Sequence, residues 1–176
     1  MVVSKKRMSS RMVSKQQQLR WLQEGRGQGQ LDTYKPFLNV RDNKSLTERS
    51  SRVYGYKTQR THHLFSDLEL ALFLALDRIQ DIEDIREQIP LDLETTVQIA
   101  EDLKIPHPIE QNVHQIITST FFIVNHSPLK PPCFVVKALK STHLELKRTI
   151  AQLELERRYW EQKNIPWFLF TEKDIS

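Results

Sequence analysis

The apolar positions become regular at Ser66. Ser66-Asp67-Leu68-Glu69 has the S-x-x-E spacing of a capping box, which predicts a helix start. The stretch from Leu68 to Leu76 is apolar nearly all round, the mark of a buried helix. Residues 82–91 place Ile85, Glu87, Ile89 and Leu91 on one face at period two and predict a strand. Leu93, Val97, Ala100 and Leu103 then fall at helical spacing, up to the Ile105-Pro106-His107-Pro108 loop. Val113 to Val124 is β-branched and aromatic, residues 125–132 read as a turn, and Cys133 to Ala138 is a second apolar strand. A hairpin is therefore expected. Thr142 to Lys163 predicts a long helix with a Thr142/Glu145 capping box and a stripe at Leu146, Ile150, Leu153 and Trp160. Ile165 to Phe170 closes the chain as a buried strand. Helix, strand, helix, two strands, helix and strand make an α/β sandwich with a mixed central sheet flanked by helices.

The region before Ser66 reads differently. Residues 1–12 lack periodicity and predict a disordered tail. Ser14 to Glu24 fits a short helix stopped by the glycines of GRGQG at 25–29. Residues 30–60 are polar with an aromatic knot of Tyr34, Phe37, Tyr54 and Tyr56, expected to pack over another surface. The division expected is a tail at 1–12, a basic arm at 13–60 and one domain at 61–176.

Charge sharpens that division. Residues 1–60 carry 14 Lys/Arg against 4 Asp/Glu, a net of +10, and residues 61–176 carry 12 against 18, a net of −6. A cationic arm ahead of an acidic body suits a polyanionic partner such as nucleic acid. Arg26, Arg49, Arg52, Lys57 and Arg60 are its candidate phosphate contacts. The single cysteine, Cys133, excludes an internal disulfide framework and reads as a small core residue. No apolar run approaches the roughly 20 residues of a bilayer span, and the basic N-terminus lacks the apolar segment of a secretory signal. A soluble, cytoplasmic protein without membrane contact is expected.

Glycine-rich phosphate loops, nucleophile elbows and zinc spacings are absent from the sequence. His62 and His63 are adjacent, so on a strand they point to opposite faces and do not share a metal. His107 and His126 read as loop residues. What remains is Glu69 on a buried helix, followed by a hairpin whose second strand ends near Lys137. That order is the scaffold of metal-dependent nucleases of the PD-(D/E)xK type. There, carboxylates hold Mg²⁺ against the scissile phosphate and a lysine orients or activates the attacking water. In the bland reading Glu69 caps its helix and Lys137 snorkels from a strand end.

Four segments carry a resemblance. EGRGQG at 24–29, YKTQRTHHLFSDLELALFLAL at 56–76, DIREQIPL at 84–91 and LELERRYWEQKNIPWFLFTEK at 153–173 resemble the N-terminal domain of the TnsA family. TnsA proteins are endonuclease subunits of heteromeric bacterial transposases. The resemblance runs from about residue 16 to residue 175. It implies a restriction-endonuclease-like fold, cleavage of transposon 5′ ends with Mg²⁺, and action beside a TnsB-type transposase. It also implies a further C-terminal domain that engages a TnsC-type ATPase, beyond the chain in hand.

Carried over position by position, the family's helix glutamate falls on Glu69 and its lysine on Lys137. Its hairpin aspartate falls on Thr120 and its glutamine on Val135. Metal ligands would then come from Glu69, the Val136 carbonyl and, weakly, Thr120. Two of four positions have lost their ligand chemistry. A nuclease that binds end DNA with an impaired site is the first expectation. Rescue by a relocated acid, Glu87 or Asp67, is the second, and a non-catalytic adaptor within the transposase is the third.

Overall fold

A computed structural model of the protein describes residues 13–42 and 48–175. The tail expected over residues 1–12 lies outside the described residues. Helix α1 (Lys15–Gln23) is capped by Ser14, whose hydroxyl accepts from the Gln17 amide, and it ends at the positive-φ glycines Gly25 and Gly27. A 3₁₀ turn at Leu31–Thr33 leads to a hairpin of β1 (Ser51–Gly55) and β2 (Arg60–Leu64). This hairpin was not expected, and it straddles residue 60, so arm and body share an element. The arm is tied down. Trp21, Tyr34 and Phe37 are buried, the Gln18 amide bridges the His114 carbonyl and the Ile116 amide, and the Phe37 amide donates to the Gln88 carbonyl.

Helix α2 (Asp67–Leu76) starts where its capping signal lies, with the Ser66 hydroxyl accepting from the Glu69 amide. The Glu69 carboxylate reaches one residue further back, to the Phe65 amide at 2.8 Å. Strand β3 (Ile82–Pro90), helix α3 (Leu93–Leu103), a short pair β4 (Ile109–Glu110) and β5 (Val113–His114), and strands β6 (Thr118–Asn125) and β7 (Cys133–Ala138) follow. The strand expected over 113–124 is thus split at residues 115–117. After a 3₁₀ turn at Ser141–Glu145 come helix α4 (Lys147–Gln162) and strand β8 (Trp167–Phe170).

The main sheet runs β3-β6-β7-β8, antiparallel except for the parallel β7–β8 pair. One core lies between the sheet and α2, built on Phe73, Ile85, Phe121, Ile123 and Val136. A second lies between the sheet and α3 and α4, built on Leu91, Ile99, Val135, Leu155, Tyr159 and Trp160.

Two expectations about faces need correction. No cap forms at Thr142, because a 3₁₀ turn intervenes and α4 begins only after Leu146. Leu146 and Ile150 are about half exposed, and the buried face of α4 is Leu153, Leu155, Glu156, Tyr159 and Trp160. On β3, Ile85 and Glu87 face the α2 side, but Ile89 and Leu91 join the second core. The cause is Gln88, at φ 48°, a left-handed residue that re-aims the strand behind it.

Candidate functional site

The same reversal occurs on the neighbouring strand. Phe121 packs toward α2, whereas Ser119, two residues earlier, accepts from the Trp160 indole N–H on α4 and donates to Glu156. The β3–β6 register pairs Glu87 with Phe121 and Ile89 with Ser119, which sets Gln88 opposite Thr120 at the crossover. The β6–β7 ladder ends here too. Its last pair is Phe121 with Val136, and beyond it the Ala138 amide donates to the Thr120 hydroxyl at 3.0 Å.

The opening so formed is a cleft of about 200 Å³ at the N-terminus of α2. Glu69, Gln88, Thr120, Lys137, Glu48 and Lys140 are among the residues lining it. Among the described residues the Phe65 amide is the sole hydrogen-bond donor to Glu69, and no cation lies within ion-pair distance of it. Burial pushes the Glu69 carboxyl up to about 7, against the Phe65 bond and the charge of Lys137, which both lower it. Lys137 looks the other way. Its ammonium lies 2.9 Å from Glu156 Oε1 and donates to the Thr118 carbonyl at 3.1 Å. Glu156, buried on α4, therefore fixes the lysine at the cleft wall. Sequence reasoning missed it because a carboxylate inside an apolar helix face has no periodic signature of its own. Its spacing from Leu153 and Trp160 was the available signal.

The structure brings Glu69, Thr120 and Lys137 to one cleft. It does not bring Val135, which is fully buried in the second core, nor Val136, which pairs with Phe121 and does not line the cleft. The relocated acids fare no better. Glu87 is fully buried beneath β2, clamped by Arg60 at 2.7 Å and by His62 Nδ1 at 2.7 Å. Burial opposes its charge, but the Arg60 and His62 hydrogen bonds outweigh burial and hold its carboxyl down at about 2. Asp67 is exposed on the first turn of α2, 3.7 Å from Arg49, and outside the cleft.

Of the arm cations, Arg60 serves Glu87, and Arg26 stacks over Trp21 at 4.4 Å while pairing with Asp42 at 2.6 Å. Arg60 neutralises a buried acid and Arg26 a partly exposed one, so both side chains are already engaged within the protein. Arg49 and Arg52 are exposed, and Lys57 sits half-buried in the β1–β2 turn. His62 is buried between Glu87 and Thr58, and His63 accepts from the Val40 amide. Those two histidines do face opposite ways. His107 lies in the loop after α3, as expected, and is buried there against Thr96 and His114. Cys133 is half-buried at the start of β7.

Among the described residues no three His, Cys, Asp or Glu side chains converge on a metal position. The cleft offers one buried, unneutralised carboxylate with the neutral oxygens of Gln88 and Thr120 beside it. With the Thr120 and Gln88 oxygens accepting from the Ala138 amide and the Thr118 hydroxyl, a hard cation there would keep most of its water. Such an ion would supply charge neutralisation at a phosphate; Glu69 would hold it.

A buried carboxylate on a helix start and a lysine on a splayed hairpin line one cleft of a mixed α/β fold. Residues 80–172 match the model of the TnsA-like endonuclease N-terminal domain, and the chain belongs to that family. Over 158 residues it is 46% identical to transposition protein TnsA of transposon Tn7 from Escherichia coli, covering 89% of this chain. The chain spans 57% of that relative's length. Among the described residues no helix is long and apolar enough to cross a membrane.

Proposed function

We propose that this protein is a transposition subunit that binds transposon-end DNA and cuts its 5′ strand at the Glu69–Lys137 cleft, beside a TnsB-type transposase. The restriction-endonuclease-like reading of the fold belongs to the same proposal. The carrying observation is the buried Glu69 carboxylate lining the cleft, which among the described residues has no cation within ion-pair distance. A buried acid that only capped a helix would gain nothing from that isolation, since an exposed one caps as well. With Mg²⁺ bound, charge at the scissile phosphate would be neutralised. Lys137 lines the cleft with its ammonium held by Glu156 and the Thr118 carbonyl, and would turn from them to meet a water or phosphate oxygen. Arg49, Arg52 and Lys57 would carry the flanking backbone, and a TnsC-type ATPase would be met outside the domain described.

The impaired-site reading rests on a specific observation. Val135 cannot act as a ligand, and the Thr120 hydroxyl is already engaged by the Ala138 amide. On the family's four positions alone, one carboxylate remains. A duplex carrying a transposon end, labelled on either strand and incubated with the protein, its TnsB-type partner and Mg²⁺, separates the readings. Cuts confined to the 5′ strand are expected. End binding without any cut would establish the impaired form instead.

A further inference from the structure

Neither acid expected to rescue the site reaches the cleft, but a third one does. Glu48, from the segment just before β1, lines the same opening as Glu69, Gln88, Thr120 and Lys137. Its carboxylate is mostly shielded, 28% exposed, and pairs with the Lys140 ammonium at 2.7 Å. So the cleft holds two carboxylates. One is partnered by a half-exposed lysine, and the other has no cation within ion-pair distance among the described residues.

Two like charges sharing a shielded opening repel one another unless a cation lies between them. Lys140 answers for Glu48 only. A divalent ion would answer for both; the Thr120 hydroxyl already accepts from the Ala138 amide and the Gln88 side-chain carbonyl from the Thr118 hydroxyl, so water would complete its shell. Resting on the reading above, we propose that Glu48 supplies this cleft with its second carboxylate for a Mg²⁺- or Mn²⁺-type cation, in place of the acid that Thr120 lacks, and that the ion displaces Lys140. The arm then completes the site, rather than serving DNA alone. Glu48 comes from the arm, outside the helix and hairpin that supply the other groups.

Manganese binding without DNA or partner tests this, with free Mn²⁺ followed by its electron paramagnetic resonance in a titration of the full chain at pH 8. The wild type is expected to bind one ion, and Glu48→Gln to weaken it about tenfold or more, because ligand charge count sets affinity for hard cations. Glu69→Gln should do at least as much. Lys140→Ala should tighten binding by removing the competing cation, and Asp67→Asn should leave it unchanged. Thermal unfolding without metal checks that each variant is folded. Wild-type affinity in Glu48→Gln, or no ion bound by the wild type at millimolar Mn²⁺, overturns the proposal. The two readings fail separately. Equal nicking by wild type and Glu48→Gln would leave the nuclease standing and remove Glu48, whereas Glu48-dependent Mn²⁺ binding without nicking would do the reverse.

Discussion

Gln88 on β3 and Thr120 on β6 stand opposite one another at the point where both strands turn their side chains over, so the pair marks the boundary between the two cores. Register is kept on either side, yet the faces exchange. A gap thus opens in the middle of a sheet, and both residues line it. The cleft exists because of this crossover.

Gln88 carries the backbone cost. At φ 48° a β-branched side chain is strained, whereas glycine is at ease. Gln88→Val should therefore destabilise the protein by about 1–3 kcal/mol. Gln88→Gly should come out near neutral, the relieved backbone offsetting the lost bond from the Thr118 hydroxyl. Urea unfolding midpoints decide. Equal losses in both variants would show that the side chain, and not the backbone, matters here.

Two buried acids should pull the pH dependence of stability in opposite directions. Glu87 is depressed to about 2, so its contribution is complete above the ordinary carboxylate range and is lost as pH falls from about 4.5 toward 2. Glu69 is raised to about 7, so the protonated form is favoured on folding. The stability it adds at low pH is lost as pH rises from about 4.5 to 7, roughly 3 kcal/mol at about 1.4 kcal/mol per unit. Glu69→Gln should flatten that slope in urea unfolding from pH 4.5 to 8. An unchanged slope would mean that Glu69 ionises at no cost. Arg60→Ala, which strands Glu87, should cost about 3–5 kcal/mol.

Much of this was legible in the residues. Ser66 caps α2 as its spacing says, and the hairpin of β6 and β7 follows from two β-branched runs around a turn. Glu69 and Lys137 were legible through resemblance, and the structure brings them to one opening. The failures have separate causes. A period-two pattern assumes an unbroken strand, and nothing in the letters at 88 announces the left-handed residue that sends Ile89 and Leu91 to the second core. Val135, made a ligand position by the resemblance, shares the α4 side with Lys137 but is packed into the second core, and Glu87 keeps its expected face but is clamped by Arg60 and His62. Glu48 and Glu156 were missed because each reaches the cleft from an element remote in sequence, and the spacing of Glu156 from Leu153 and Trp160 marks only a buried face.

For DNA binding, deletion of residues 1–60 is no clean test, since it removes Trp21, Tyr34, Phe37 and the partner of β2. Alanine at Arg49, Arg52 and Lys57 together should instead lower the salt slope of end binding by roughly 3, at about 0.9 per phosphate contact. Arg26→Ala should leave the slope alone. A triple variant with the wild-type slope would place the phosphate contacts elsewhere.

Restoring the missing acid is informative at one position only. Thr120→Asp should raise Mn²⁺ affinity, because residue 120 lines the cleft. Val135→Gln buries an amide among Leu155, Tyr159 and Trp160 and should cost about 1–3 kcal/mol with no gain in binding. A cooperative gain from the double change would contradict the placement of Val135 in the second core.

The most direct measurement is single-turnover cutting of a labelled transposon-end duplex, with the TnsB-type partner and Mg²⁺ present, by wild type, Glu69→Gln and Lys137→Ala. The expected result is a cut at the 5′ strand by the wild type and a loss of at least about a hundredfold in each variant, with end binding retained. Undiminished cutting by both folded variants would contradict a centre at Glu69 and Lys137.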